Sequence, residues 1–151
     1  MNKFITDVHL GKLARLLRLF GFDTLYKNNF TNSELLRISM EQDRIILSRN
    51  SLTAKMNKSF FIKYEHPIRQ LEQVIEHYHL RTQFQPFSRC IICNGMLESV
   101  SKEIISGLLE KNTTEYFNEF WQCKDCERVY WKGSHYQKMA KTVQNITSPP
   151  V

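Results

Sequence analysis

Leu10, Leu13, Ala14, Leu17 and Phe20 fall at helical spacing, with Leu16 beside them, while Lys12, Arg15 and Arg18 recur every three residues between them. This pattern predicts an amphipathic helix with a basic outer face, which Gly21 is placed to end. Lys3–Thr6 before it and Thr24–Tyr26 after it read as short strands. Thr31-Asn32-Ser33-Glu34 is a capping box opening a second helix through about Glu41, with Leu35, Leu36 and Ile38 apolar. Ile45-Ile46-Leu47 and Phe60-Phe61-Ile62 read as a third and a fourth strand. His66-Pro67 starts a last helix, with Ile68, Leu71, Val74, Ile75 and Tyr78 on its inner side and Pro67 suited to the first turn. Strand and helix in alternation imply an α/β unit over residues 1–82, a small parallel sheet flanked by helices and joined by right-handed crossovers. Further on, Ile104, Ile105, Leu108 and Leu109 in Lys102–Glu110 predict a short helix packed on that unit. The tail, residues 141–151 with Ser148-Pro149-Pro150, shows no packing pattern and is expected to be disordered.

The chain has four cysteines, and they form two Cys-x-x-Cys pairs, Cys90/Cys93 and Cys123/Cys126. Each pair sits on a short turn, so both thiolates of a turn can address one centre. Two such turns together offer the closed tetrahedral sulfur set of a structural Zn²⁺ site. Residues 86–140 therefore read as a zinc ribbon. Two disulfides, which would suit a secreted domain, and an iron–sulfur or redox role are the competing readings. No signal peptide is apparent, because Lys12, Arg15 and Arg18 interrupt the apolar stretch Leu10–Phe22. A cytoplasmic protein with reduced thiols is expected.

Composition changes this picture little. Of 151 residues, 42% are hydrophobic and 24% charged, as in a globular protein, and no run is long or apolar enough to imply a membrane partner. The net charge of +6 favours a polyanion. The first 80 residues carry twelve basic and eight acidic side chains, the remainder nine and seven, so the excess is mostly N-terminal.

The topology directs attention to one edge of the sheet, because ligands bind outside the carboxyl ends of parallel strands. Asp7, the segment Asn28–Glu34 and Ser48-Arg49-Asn50 leave those ends; Asp23 and Asp43 precede their strands and belong at the opposite edge. An acidic cluster at the carboxyl edge would hold Mg²⁺ or Mn²⁺ and activate water against a phosphodiester. Asp7 and Glu34 are the acids available there, and Asn32 and Asn50 occupy positions where further carboxylates would serve. Asp7 could instead cap the following helix, and Glu34 could serve the capping box. Arg49 could contact phosphate or neutralise Asp7. In the ribbon, Phe120, Trp121, Tyr130, Trp131 and Tyr136 interleave with Lys124, Arg128 and Lys132. They could stack unpaired bases or supply the core that a small domain needs.

The segment from Phe4 to Tyr26, with Ser33-Glu-Leu-Leu-Arg-Ile38 and Arg44-Ile-Ile-Leu-Ser-Arg-Asn50, resembles the opening of the Mut-seven C-terminal ribonuclease domain family. The resemblance resumes at Gln70-Leu71, Arg89-Cys-Ile-Ile-Cys-Asn-Gly95, Phe120-Trp-Gln-Cys-Lys-Asp-Cys126 and Val129-Tyr-Trp-Lys-Gly-Ser-His135. It implies a PIN-like fold joined to a zinc ribbon, with RNA as substrate. The family's catalytic acids map onto Asp7, the Asn32–Glu34 segment and Asn50; the family usually has Asp at Asn50 and an acid at Asn32 or Ser33. The expectation is a divalent-metal-dependent ribonuclease carrying Asp7, Glu34, Asn50 and Arg49 in its site. Lys12, Arg15, Arg18 and Lys132 are expected on RNA, and Zn²⁺ on the four cysteines. The alternative is a catalytically inactive RNA-binding or adaptor protein on a retained nuclease fold. Protein partners are not indicated by the sequence.

Overall fold

The computed structural model describes residues 1–148. Its front half contains β1 (Phe4–Thr6), α1 (Gly11–Leu19), β2 (Thr24–Leu25), α2 (Asn32–Gln42), β3 (Ile45–Ser48), β4 (Ser59–Phe61) and α3 (Pro67–Tyr78). The strands pair in parallel in the order β2-β1-β3-β4. Phe4, Leu13, Leu17, Phe22, Leu47, Leu71, Val74 and Ile75 are buried together where α1 and α3 cover one face of the sheet. Ile5, Leu35 and Ile46 form the smaller core under α2 on the other face. The split follows from the period of two along a strand, which sends Phe4 and Ile5 to opposite sides.

Local chemistry sets the ends of these helices. Thr31 and Glu34 form the complete capping box of α2, the Thr31 side chain accepting from the Glu34 N–H and the Glu34 carboxylate accepting from the Thr31 N–H. His66 caps α3 by accepting from the N–H of Ile68, with Pro67 in the first turn. At the end of α1, Gly21 has φ +95, its N–H donates to the Arg18 carbonyl, and the Phe22 N–H reaches back to Leu17. This is a Schellman ending. A Cβ on Gly21 would lie 2.5 Å from the Gln85 carbonyl oxygen, so glycine also admits the returning chain.

The second half contains β5 (Leu97–Val100), α4 (Lys102–Ile105), α5 (Lys111–Tyr116), β6 (Phe120–Cys123), β7 (Val129–Tyr130) and α6 (Ser134–Thr147). The three strands form an antiparallel sheet in the order β5-β6-β7. Two expectations are corrected here. The helix expected over Lys102–Glu110 stops at Ile105 and continues as a 3₁₀ turn over Ser106–Leu108. Ile105 is buried, but Ile104 and Leu108 are exposed, so the segment does not present one apolar face to the α/β unit. The tail is not disordered through residue 147: α6 runs to Thr147, Ile146 joins the main core, and Met139 and Val143 pack against it. The Arg81 guanidinium donates to the Ile146 carbonyl at 2.8 Å, fixing the end of that helix. Pro149, Pro150 and Val151 of the expected tail lie outside the described residues. No helix of the described residues is long and apolar enough to cross a membrane.

Candidate functional site

Chain order β2-β1-β3-β4 means that the connection from β2 crosses over β1 to reach β3. The gap between the carboxyl ends of β1 and β3 is thus the switch point at which open parallel sheets bind ligands. Asp7 leaves β1 there and Arg49 leaves β3. Asp7 is 5% exposed, and both of its carboxylate oxygens are engaged. Oδ1 accepts from the His9 N–H at 2.8 Å. Oδ2 accepts from the Ser48 hydroxyl at 2.6 Å and the Arg49 N–H at 2.8 Å. The carboxylate therefore pins the turn into α1 and ties β1 to β3. Thr6 Oγ1, one residue earlier, is buried without a hydrogen-bond partner among the described residues.

From Asp7 a chain of hydrogen bonds runs through the neutral positions. The Asn50 N–H donates to Ser48 Oγ at 2.9 Å, and Asn50 Oδ1 accepts from the N–H of Leu52 at 2.9 Å and of Thr53 at 3.4 Å. The Thr53 hydroxyl, itself buried, donates to Asn32 Oδ1 at 3.2 Å. The fold thus brings Asp7, Asn50 and Asn32 into one network. Glu34 stands apart from that network, in the capping box. The Thr31 N–H and hydroxyl bonds to its carboxylate hold its pKa below the ordinary value for glutamate. Arg49 is also placed differently from expectation. Its backbone N–H meets Asp7, but its guanidinium donates to the carbonyls of Ile62 and Tyr64, at 3.2 and 2.6 Å.

These residues do not fit a divalent-cation site with several carboxylates. Mg²⁺ and Mn²⁺ want oxygen ligands with free lone pairs and negative charge. Asp7 accepts three hydrogen bonds, and the amide oxygens of Asn32 and Asn50 already serve Thr53 and Leu52. Among the described residues, the groups of three or more potential metal ligands reduce to the cysteines. Asp23 and Asp43 lie at the opposite edge, as the parallel pairing of Phe4 with Thr24 and Ile45 requires.

The cysteines do converge. All four sulfurs lie within 4.8 Å of one another, with Cys93–Cys123 at 3.3 Å and Cys90–Cys126 at 3.8 Å. Four Zn–S bonds of about 2.3 Å in a tetrahedron put sulfurs about 3.8 Å apart, so the cluster fits Zn²⁺. Burial and the neighbouring thiols push Cys93 up to about 12. Burial acts the same way at Cys90, but there the Tyr130 hydroxyl and the N–H groups of Cys93 and Ile92 outweigh it and bring the thiol down to about 7. Four thiolates resist forming together unless a cation compensates them. Gly95 lets the turns close, since a Cβ there would lie 2.6 Å from the Cys123 sulfur.

The basic face expected on α1 is divided. Lys12 and Arg15 are exposed, whereas Arg18 is 5% exposed. Arg18 Nε donates to the Thr24 carbonyl at 2.9 Å, and its Nη1 to the carbonyls of Ile91 and Ile92 at 3.1 and 3.0 Å. Arg18 is therefore not a phosphate contact; it braces the first cysteine turn against the sheet. Asn94 works beside it. Its side chain accepts from the Thr24 N–H and donates to Asp23 at 2.7 Å, while Arg44 binds the same Asp23 oxygen at 2.7 Å. Burial raises the Asp23 pKa, but the Arg44 and Asn94 hydrogen bonds outweigh that and leave it lowered. Sequence reading passed over this brace; the polar pair Asp23-Thr24 facing the Cys-Asn-Gly turn was its only trace. Lys132 is exposed, pairs with Glu119 at 3.5 Å and lies about 6 Å from the Trp121 and Tyr136 rings. Of the ribbon aromatics, Phe120 is buried and Trp121, Tyr130, Trp131 and Tyr136 are half-buried.

A family model described as the Mut7-C RNAse domain matches residues 2–143. No curated protein and no solved structure matches the chain. The match spans both the carboxyl edge and the cysteine cluster, and the chain belongs to this ribonuclease domain family.

Proposed function

We propose, from membership in the Mut7-C RNAse domain family, that this protein binds RNA on a PIN-like fold and a zinc ribbon, and that its acid-poor edge holds RNA better than it cuts it. The observation that carries this reading is the network Asp7–Ser48–Asn50–Thr53–Asn32. It occupies the switch point of the sheet, yet it contains one carboxylate. The order β2-β1-β3-β4 supports the PIN-like assignment. Exposed Lys12 and Arg15 on α1 and exposed Arg128 in the cysteine-bearing half supply charge for phosphates. The four sulfurs support one structural Zn²⁺ held by Cys90, Cys93, Cys123 and Cys126.

Slow ribonuclease activity is the second reading, and it is favoured by one observation. Asp7 remains at the carboxyl end of the central strand, buried and oriented. One experiment separates the two. Labelled single-stranded and structured RNAs are incubated with the wild type and with Asp7→Asn, in Mn²⁺ and in chelator too weak to remove structural zinc. The binding reading expects RNA affinity to be the same with and without Mn²⁺, and no cleavage that depends on Asp7. Mn²⁺-dependent cleavage that disappears in Asp7→Asn makes the protein an enzyme.

A further inference from the structure

We propose that the cleft between the cysteine-bearing sheet and the start of α6 is a pocket for one unpaired nucleotide. The base would lie among Trp121, Trp131 and Tyr136, and the phosphate at Arg128. The inference rests on the RNA-binding reading and names the face that takes the base. The cleft encloses about 530 Å³, within the roughly 300–1,000 Å³ of small-ligand pockets. Its wall is aromatic and aliphatic, includes Arg89 and Arg128, and contains no acidic residue.

The two arginines differ in availability. Arg89 is committed to the carbonyls of Gly21 and Asn94. Arg128 is exposed, and no ion pair holds it among the described residues. Gly133, Ser134 and His135 line the cleft and begin α6, a helix of 14 residues. No side chain caps that start and no acid lies in its first turn, an arrangement that favours an anion.

The aromatic side of the cleft is held in place. Phe87 stacks on Tyr136 with ring centroids 4.5 Å apart. Phe87 has φ +62, in the left-handed region that bulky residues seldom occupy. Such backbone conformations gather where ligands are clamped. A Cβ on Gly133 would lie 2.9 Å from Trp131 Nε1, so glycine lets the helix start lie against the indole. A wholly apolar ligand would leave Arg128 and the helix start without a partner. A base joined to a phosphate engages both, by stacking and by charge. A free nucleotide and an unpaired nucleotide within RNA share this chemistry, so the test uses both.

Adenosine monophosphate is titrated while tryptophan fluorescence is read, and a short oligoadenosine and an RNA duplex are titrated by anisotropy. The proteins are the wild type, Trp131→Ala, Trp131→Phe and Arg128→Gln, with zinc content and circular dichroism reporting folding. Trp131→Ala should weaken the single strand roughly 5- to 150-fold, the range that one stacked ring supplies. Trp131→Phe should recover most of that loss, and duplex binding should not change. Arg128→Gln, at an exposed position, should lower the salt slope of single-strand binding by about one phosphate contact. If the single strand binds every variant like the wild type, the pocket is overturned and the RNA-binding reading stands. If the monophosphate binds in a Trp131-dependent way but no RNA binds, the pocket stands for free nucleotides and the RNA-binding reading falls. If the wild type binds neither probe, both fall.

Discussion

The cysteine cluster and the carboxyl edge are both places where separate segments converge, yet they differ in how complete they are. At the cysteines, two turns bring four sulfurs within 4.8 Å, and no ligand for a tetrahedral site is missing. At the edge, β1, α2 and the residues after β3 bring Asp7, Asn32 and Asn50 together, but the network is closed by hydrogen bonds among themselves. One site offers the full ligand set of a cation; at the other, hydrogen bonds within the protein already engage the oxygens. The difference shows that convergence of polar segments at a sheet edge does not by itself make a set of cation ligands. Asp7, Ser48 and Thr53 are the network's buried members and Asn32 and Asn50 its exposed ones, and a polar network is stable whenever its donors and acceptors are matched, whether or not it binds anything.

Removing the metal should break the complete side of this comparison, and that effect should be the largest. Purified protein is expected to carry one Zn²⁺ per chain. Cys123→Ser, or a strong chelator, should release it and unfold the cysteine-bearing half. Structural zinc supplies on the order of 10 kcal/mol in small units, more than such a unit holds without it. Metal analysis and thermal denaturation check this. Protein that is free of zinc and melts as the wild type does would overturn it.

A smaller effect tests the brace between the two regions. Arg18→Gln strands the Thr24 carbonyl in a buried setting and removes the part-buried bonds to the carbonyls of Ile91 and Ile92. The expected cost is about 2–4 kcal/mol, since hydrogen bonds to a charged donor are lost and the Thr24 acceptor stays buried. Arg15→Gln, on the exposed face of the same helix, should change stability by no more than about 0.5 kcal/mol. Denaturant melts of the two variants give the contrast directly. Equal stability would mean that the cysteine turn does not depend on α1.

Arg18 leaves the basic face of α1 for a geometric reason. Residues three apart are rotated by about 300° around a helix, so each step in the row Lys12, Arg15, Arg18 drifts by about 60°. The row stands in solvent at Lys12 and Arg15 and reaches the flank of the core at Arg18. The strands and helices of the front half were legible because period, capping box and Gly21 are local signals, and the observed ends shift by only a residue or so. The four-cysteine cluster was legible because one residue type at short spacing defines it. Helix α6 was not, although Tyr136, Met139, Val143 and Ile146 follow a helical stripe; taking residues 141–151 as a tail cuts that stripe in two. The hydrogen bonds that close the carboxyl edge were also hidden, because Ser48 and Thr53 carry no signal until the topology brings them to Asp7 and Asn50.

Restoring charge sharpens the other side of the comparison. Asn50→Asp places a second carboxylate in the network of Asp7. A unit charge about 4 Å from a dication contributes about 2 kcal/mol even in a water-like dielectric. Mn²⁺ affinity measured by calorimetry should therefore rise roughly 30-fold over the wild type. Asn32→Asp added to Asn50→Asp should raise it further, and any cleavage should rise with it. Unchanged affinity in both variants would show that geometry, and not the missing charge, excludes the cation.

The smallest effect concerns Glu34, the second acid expected at the edge. If it belongs to the capping box, its charge supports α2 and not a cation. Hydrogen bonds from the Thr31 N–H and hydroxyl lower its folded pKa. Its contribution to stability is then present above the unfolded value, about 4.3, and is lost as pH falls through the lower folded value. Glu34→Gln keeps a capping side chain at the same position but removes the titration. The wild type should be slightly the more stable near neutral pH, and the two melting curves should converge as the solution is acidified below pH 4. Protonation of the cysteines affects both proteins alike and cancels in the difference. In the Asn50→Asp background, Glu34→Gln should leave Mn²⁺ affinity unchanged. A loss of Mn²⁺ affinity there, with no pH-dependent difference in stability, would move Glu34 from the helix cap back to the carboxyl edge, and the edge would then hold a second native carboxylate.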